Sequence, residues 1–306
     1  MPDTSTPLGP DLDSALIRRR AERTAAAYPS NRFLAEETAQ RLFERLDYLR
    51  IAPRRLLDVI FASPGIEPLP HVDIALDPLE GTTLTAKDMP NALTVIAMAP
   101  RGTLLHAPDV YMDKLAIGPG YPKDVVSLDM SPSERVRALA RARGVRDSDI
   151  TVCVLERPRH EDLVAEIRST GAAIRLITDG DVAGVIHCAE SAKTGIDIYM
   201  GSGGAPEGVL AAAALKCMGG QMWGRLLFRN DDEKARARKA GITDLDRIYS
   251  RDELVTADVI FAATGVTNGS IVAGVKREPH YLQTETILMR SKTGSVRRMI
   301  YRNPVK

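Results

Sequence analysis

Val72-Asp73-Ile74-Ala75-Leu76-Asp77-Pro78-Leu79-Glu80-Gly81-Thr82 is the stretch on which the reading of this chain turns. Its first half reads as a strand, and Pro78 marks the expected stop. The strand delivers the Asp77 carboxylate at its end, proline stiffens the exit, and Glu80 follows three residues on. Gly81 then permits a tight turn that directs Thr82 inward. Two carboxylates and a hydroxyl at one point suit a hard divalent cation such as Mg²⁺ or Mn²⁺, which prefers oxygen ligands. An Asp-Pro-x-Glu-Gly segment is also an ordinary turn, so on composition alone both readings stand.

Outward from this stretch, apolar runs end repeatedly in acidic or glycine-rich turns. The pattern predicts strands over 92–97, 150–155, 173–177, 196–199 and 259–263. It predicts helices over 133–143 and about 161–169, and an alanine-rich helix running to about Cys217. The stretch 284–301 alternates like a hairpin. Upstream, 1–14 is rich in Pro, Asp, Ser and Thr and reads as a disordered lead-in. Leu34, Thr38, Leu42, Leu46 and Leu49 form one helical stripe, and 56–61 reads as a short strand. Interleaved strands and helices argue for an α/β or mixed α+β layered fold.

The chain has 306 residues, enough for about two domains or one large α/β unit. Its 41 basic and 40 acidic side chains leave a net charge of +1, which gives no global reason to expect nucleic acid or an anionic membrane as partner. No apolar run approaches the ~20 residues that span a bilayer, and a cytoplasmic protein is expected. Cys153, Cys188 and Cys217 show no C-x-x-C pairing and read as buried thiols.

Several polar clusters remain. Arg157-Pro158-Arg159-His160 lies where charges alternate from Glu156 to Asp162, the usual mark of a solvated loop. Asp179-Gly180-Asp181 can simply turn the chain after a strand, and Tyr111 can simply pack. His160 has no histidine at ligand spacing and reads as a structural or supporting residue. Gly201-Ser202-Gly203-Gly204-Ala205-Pro206-Glu207-Gly208 invites a dinucleotide reading, which fails because Pro206 replaces the third glycine and Trp223 stands where a ribose-binding acid is needed. Pro206 suits the start of a helix, so the stretch can still present backbone N–H groups to an anion.

Taken in order, these segments resemble the class II fructose-1,6-bisphosphatases of the lithium-sensitive sugar-phosphatase superfamily. The likeness runs through Asp77 to Thr82 with Asn91-Ala92, Ala107 to Leu115 with Gly118-Pro119-Gly120, Arg157 to His160, Asp179 to Ala183, Gly201 to Gly208, and Thr264 to Thr267. The resemblance implies a layered α-β-α-β-α fold and hydrolysis of the 1-phosphate of fructose 1,6-bisphosphate with Mn²⁺ or Mg²⁺. It implies that Asp77, Glu80 and Glu207 hold one metal ion, and that Thr82 helps take a proton from the attacking water. Glu80, Gly81, Thr82, Tyr111, Arg157, Pro158, Arg159, Asp179, Gly180, Asp181 and Gly204 match positions that hold the sugar bisphosphate. Arginine forks suit phosphate, and aspartates suit sugar hydroxyls. Sedoheptulose 1,7-bisphosphate is a variant substrate, a homo-oligomer is compatible, and a non-catalytic sugar-phosphate binder is the rival reading.

Upstream of about Pro68 the likeness stops. The family's Gly-Asp-Lys-like and Gly-Glu-Gly-Glu settings, which supply carboxylates for the other metal, have no counterpart there. Arg18 to Val59 loosely resembles the lead-in of S-adenosylmethionine-dependent methyltransferases, but Ile60-Phe61-Ala62 stands where their glycine-rich turn is needed. The chain thus divides into an atypical helical segment, 1–67, and a sugar-bisphosphatase-like core, 68–306.

Overall fold

The computed structural model describes residues 72–304. The expectations for 1–14, for the leucine stripe and for the strand over 56–61 lie outside them. Two six-stranded sheets organise the described residues. In the first, β1 (Val72–Glu80) pairs with β2 (Leu93–Pro100), β2 with β9 (Ile260–Gly265), and β9 with β11 (Tyr281–Arg290). The short β10 (Lys276–Arg277) and the long β12 (Ser295–Pro304) both pair with β11, and every pairing is antiparallel. The expected hairpin is therefore β11–β12.

The second sheet is mixed. Its order is β5 (Ala173–Ile177), β4 (Thr151–Leu155), β6 (Ile198–Gly204), β3 (Tyr111–Ile117), β7 (Gln221–Leu227), β8 (Ile248–Ser250). Strands β5, β4 and β6 run parallel, and the remaining pairs are antiparallel. The carboxyl ends of the three parallel strands consequently open on one edge, the usual place for a ligand in such sheets.

Between the sheets lie α4 (Asp181–Ala189) and α6 (Ala205–Met218). Helix α6 touches β1, β2, β9 and β11 on one side and β3, β6 and β7 on the other. A helix enclosed this way must be apolar all round and thin, and the buried run Ala211-Ala212-Ala213-Ala214 meets both demands. The opposite face of the second sheet is covered by α2 (Pro132–Arg143) and α3 (Glu161–Ser169), which share a second core with Leu115, Ile117, Val152 and Ile198. Helix α2 starts in a capping box: the Glu134 N–H donates to Ser131 Oγ (3.3 Å) and the Ser131 N–H donates to Glu134 Oε2 (2.7 Å). The described layers are thus sheet, helices, sheet, helices. The mixed α/β class is as expected, and a fifth layer is not among the described residues.

Two expectations need correction. Strand β1 does not stop at Pro78 but continues to Glu80 through an irregularity between Asp77 and Glu80. Pro78 is tolerated because β1 is an edge strand among the described residues, where the missing N–H breaks no ladder bond, and its carbonyl accepts from Thr94 Oγ1 (2.8 Å). The glycines Gly201, Gly203 and Gly204 do not form a loop after a strand ending at 199; they complete β6, paired with Lys114, Met112 and Tyr111 of β3. Period-based reading stops at glycines because they carry no side-chain pattern.

Candidate active site

The end of β1 meets the head of α4. Glu80 is buried, and its Oε1 accepts the Val182 N–H at 2.8 Å. The contact is possible because Gly180 turns the chain with φ 87°, a left-handed conformation costly for other residues, and a Cβ there would approach Glu80 Oε2 to 3.3 Å. The other oxygen, Glu80 Oε2, is buried and has no hydrogen-bond partner among the described residues. Burial, reinforced by the charges of Asp181, Asp77 and Asp179, pushes the Glu80 carboxyl well above its ordinary value, against the lowering effect of the Val182 N–H. Four carboxylates therefore share one small region.

Each neighbour is anchored differently. Asp77 Oδ1 accepts from the Leu79 N–H (3.0 Å). Asp179 Oδ2 accepts from the Thr83 N–H (2.9 Å), which ties the turn after β5 to α1 (Thr82–Ala86). Asp181 forms a buried ion pair with Lys114 of β3, whose side chain is fully enclosed. Thr82 opens α1 beside Gly81 and is exposed, so it faces water rather than packing inward. Glu207, in the first turn of α6, also carries a buried oxygen, Oε2, with no partner among the described residues. Gly204 lies against it so closely that a Cβ would collide with its carboxylate.

The cationic side is built on β4 and β6. Arg157 Nη1 donates to the carbonyls of Thr178 (2.6 Å) and Glu156 (2.9 Å), and Nη2 lies 3.9 Å from Asp179 Oδ1. Arg159 Nε donates to Ser202 Oγ (2.9 Å) and Nη2 to the Ser202 carbonyl (2.5 Å). Its guanidinium also lies 4.9 Å from the centre of the Tyr111 ring. The loop Pro158–His160 is a single 3₁₀ turn, with Pro158 exposed at its start. His160 is buried: Nε2 accepts the Ser202 N–H (2.9 Å), which assigns the proton to Nδ1, the donor to the Leu155 carbonyl (2.8 Å). Burial lowers its pKa and keeps it neutral. The supporting role expected for His160 is the one it has, since it fixes Ser202 and Ser202 fixes Arg159.

Among the described residues no group of three or more His, Cys, Asp or Glu side chains lies close enough to hold a metal ion. Glu80 stands with Asp77, Asp179 and Asp181, whereas Glu207 is not among the charges that act on it. The groups are nevertheless of the type a hard cation prefers: among the described residues Glu80 Oε2 and Glu207 Oε2 find no hydrogen-bond partner, and Glu80 is crowded by acids of like charge.

Sequence reading missed Lys114, Ser202, Tyr199 and Arg229. A lysine between Met112 and Leu115 in an apolar strand was a readable signal, because a buried cation requires an acid. The Tyr199 hydroxyl, buried without a partner, and Ser202 and Arg229, defined by contacts distant in sequence, carried none.

Glu80 ends β1 of the antiparallel sheet, Asp179, Asp181 and the anchored arginines follow the parallel strands β5 and β4, and acids and arginines of this kind are the groups that suit a cation and a phosphate ester. Residues 63–302 match the family described as bacterial fructose-1,6-bisphosphatase, glpX-encoded, and the chain belongs to that family of phosphoric monoester hydrolases. A protein of Synechococcus sp. (strain JA-3-3Ab), named D-fructose 1,6-bisphosphatase class 2/sedoheptulose 1,7-bisphosphatase, is 39% identical over 245 residues, 76% of this chain and 70% of its own length. Relatives with the same name in Synechococcus sp. (strain JA-2-3B'a(2-13)) and Trichodesmium erythraeum (strain IMS101) are 39% and 38% identical over the same shares.

Proposed function

We propose that this chain hydrolyses the 1-phosphate of fructose 1,6-bisphosphate to fructose 6-phosphate and phosphate, using Mn²⁺ or Mg²⁺. The observation that carries the reading is Glu80: a buried carboxylate with one oxygen on the α4 N-terminus, the other without a partner, and three more acids around it. Asp77, Glu80 and Glu207 would hold the cation, which supplies Lewis-acid polarisation of the phosphoryl group when bound. Thr82, exposed at the head of α1, positions the attacking water through Oγ1 and helps draw off its proton. Arg157, Pro158 and Arg159 orient the bisphosphate, and Gly81, Gly180 and Gly204 let its oxygens approach the backbone. Asp179 and Asp181, held in place by Thr83 and Lys114, accept hydrogen bonds from sugar hydroxyls.

The names of the relatives join six- and seven-carbon bisphosphates, and sedoheptulose 1,7-bisphosphate is the second substrate of this reading. A cytoplasmic location belongs to this reading, and three buried free thiols are compatible with a reducing compartment. Among the described residues no helix is long and apolar enough to cross a membrane.

Mn²⁺-dependent release of phosphate from fructose 1,6-bisphosphate tests the proposal. Activity in the parent chain and its loss in Glu80→Gln are expected; equal rates in the two overturn the assignment. Replacing residues 1–67 with a typical family N-terminus is expected to raise the rate, because that segment brings the carboxylates this chain lacks. Sugar-phosphate binding without release would establish the non-catalytic alternative.

A further inference from the structure

A second arginine lies over the Tyr111 ring. The Arg229 guanidinium, two residues past the end of β7, is 5.1 Å from the ring centre, matching Arg159 at 4.9 Å. Two cations within reach of one aromatic ring repel each other unless something holds them there. Arg159 is held by Ser202, as described. Arg229 is held by Glu233, whose side chain is 1% exposed: Nε donates to Glu233 Oε1 (2.7 Å), Nη2 pairs with the same oxygen, and the Arg229 backbone N–H donates to Oε2 (2.7 Å). The Arg229 side chain itself is 61% exposed. Each guanidinium spends Nε and Nη2 on the protein, and among the described residues neither Nη1 has a hydrogen-bond acceptor.

Strand alternation separates this place from Asp181. On β3 and β6, Met112, Lys114 and Tyr199 face the inner helices, whereas Leu115 and Met200 face α2 and α3. By the same alternation Tyr111 and Ser202 stand on the α2/α3 side and Gly203 on the Asp181 side, where a Cβ would collide with the Asp181 carboxylate. One end of a bisphosphate placed at the acids therefore has its other end to satisfy across the glycine edge of β6.

We infer that Arg229, together with Arg159 and Tyr111, binds the phosphate that is not hydrolysed, and that Arg229 selects bisphosphates over 1-monophosphates. The inference rests on the proposed phosphatase reading. A phosphate dianion fits because it accepts hydrogen bonds from two uncommitted guanidinium nitrogens and a phenol at once, and it relieves the repulsion between the arginines. The Asp109 charge also acts on Arg229, so the rim is not purely basic, but Glu233 is already committed to Arg229 and to Arg236 at 3.8 Å.

The test compares fructose 1,6-bisphosphate with fructose 1-phosphate, which carries the same scissile ester and no distal phosphate. Arg229→Gln should raise KM for the bisphosphate about 10- to 100-fold with kcat nearly unchanged, and leave both constants for fructose 1-phosphate as they were. Arg229→Lys should recover part of the loss, because a point charge replaces the fork. Equal losses on both substrates, or none on either, overturn the assignment. Calorimetry with fructose 6-phosphate separates it from the parent reading. Absence of phosphate release from either ester in the parent chain defeats the hydrolytic reading, whereas equal binding of fructose 6-phosphate by parent and Arg229→Gln defeats the role of Arg229.

Discussion

Glu80 at the end of β1 and Asp181 at the head of α4 are buried acids in the same small region, yet they are satisfied in opposite ways. Asp181 is answered from within by Lys114, a fully enclosed ammonium delivered by an inner strand of the second sheet, β3. Glu80 receives one backbone N–H, and its other oxygen finds no partner among the described residues. A lysine answers one acid and not its neighbour, and the proposed cation would fill the deficit that is left. The arginine side repeats the lesson in reverse: Arg157 and Arg159 are fastened to carbonyls and to Ser202, so their positions do not wait for substrate.

Lys114→Met should break the comparison most severely, because it turns Asp181 into a second unanswered acid. The loss is expected to be about 3–5 kcal/mol of folding stability, read from urea midpoints. Adding Asp181→Asn should recover most of it, since the uncompensated charge is then gone.

Gly204→Ala attacks the acidic side without touching a charge. The new Cβ must displace the Glu207 carboxylate. A shift of about 1 Å in a positioned group can cost about 100-fold, so kcat/KM should fall by that order, with a raised Mn²⁺ requirement in activation curves.

His187 lies outside the acid cluster and supplies a titrating contrast. Its Nε2 is 2.6 Å from Ser270 Oγ, its Nδ1 is buried with no partner among the described residues, and burial lowers its pKa to about 4 from the ordinary 6.5. Between those values the unfolded chain binds more protons at this site, so stability is full above pH 6.5 and falls as pH drops through the window. From pH 7 to pH 5 the loss should be about 2 kcal/mol, and His187→Gln should flatten that slope in chemical denaturation.

The smallest effect sharpens the comparison best. In metal-free protein, Glu80→Gln should leave stability unchanged or raise it by about 1 kcal/mol, because a crowded buried acid becomes a neutral amide of the same shape. Loss of activity with no loss of stability would mark Glu80 as retained for the cation alone. A large destabilisation would show that its bond to the Val182 N–H dominates.

Much of the fold was readable because it rests on local rules. The helix over 161–169 and the strand over 173–177 have the bounds that periodicity predicts. The alanine-rich helix and the terminal hairpin were equally plain. Reading failed where the pattern had no side chains to count, as in the glycine half of β6. It failed again where an edge position overrode a residue's usual meaning, as at Pro78. Strand β3 was visible only as a motif, since its buried lysine interrupts the apolar run that identifies a strand.

By itself the sequence determined the types of group available and their local placement: acids at a strand end, a left-handed glycine before a helix, arginines in a short turn. Those depend on backbone conformation over a few residues. Which groups are satisfied was decided only by the tertiary structure. The Val182 N–H reaches Glu80 across 102 positions and Lys114 reaches Asp181 across 67, while Arg159 and Arg229 meet at Tyr111 from different strand ends. Burial and long-range pairing set the energy of a charge, and neither is a property of the residues beside it in the chain.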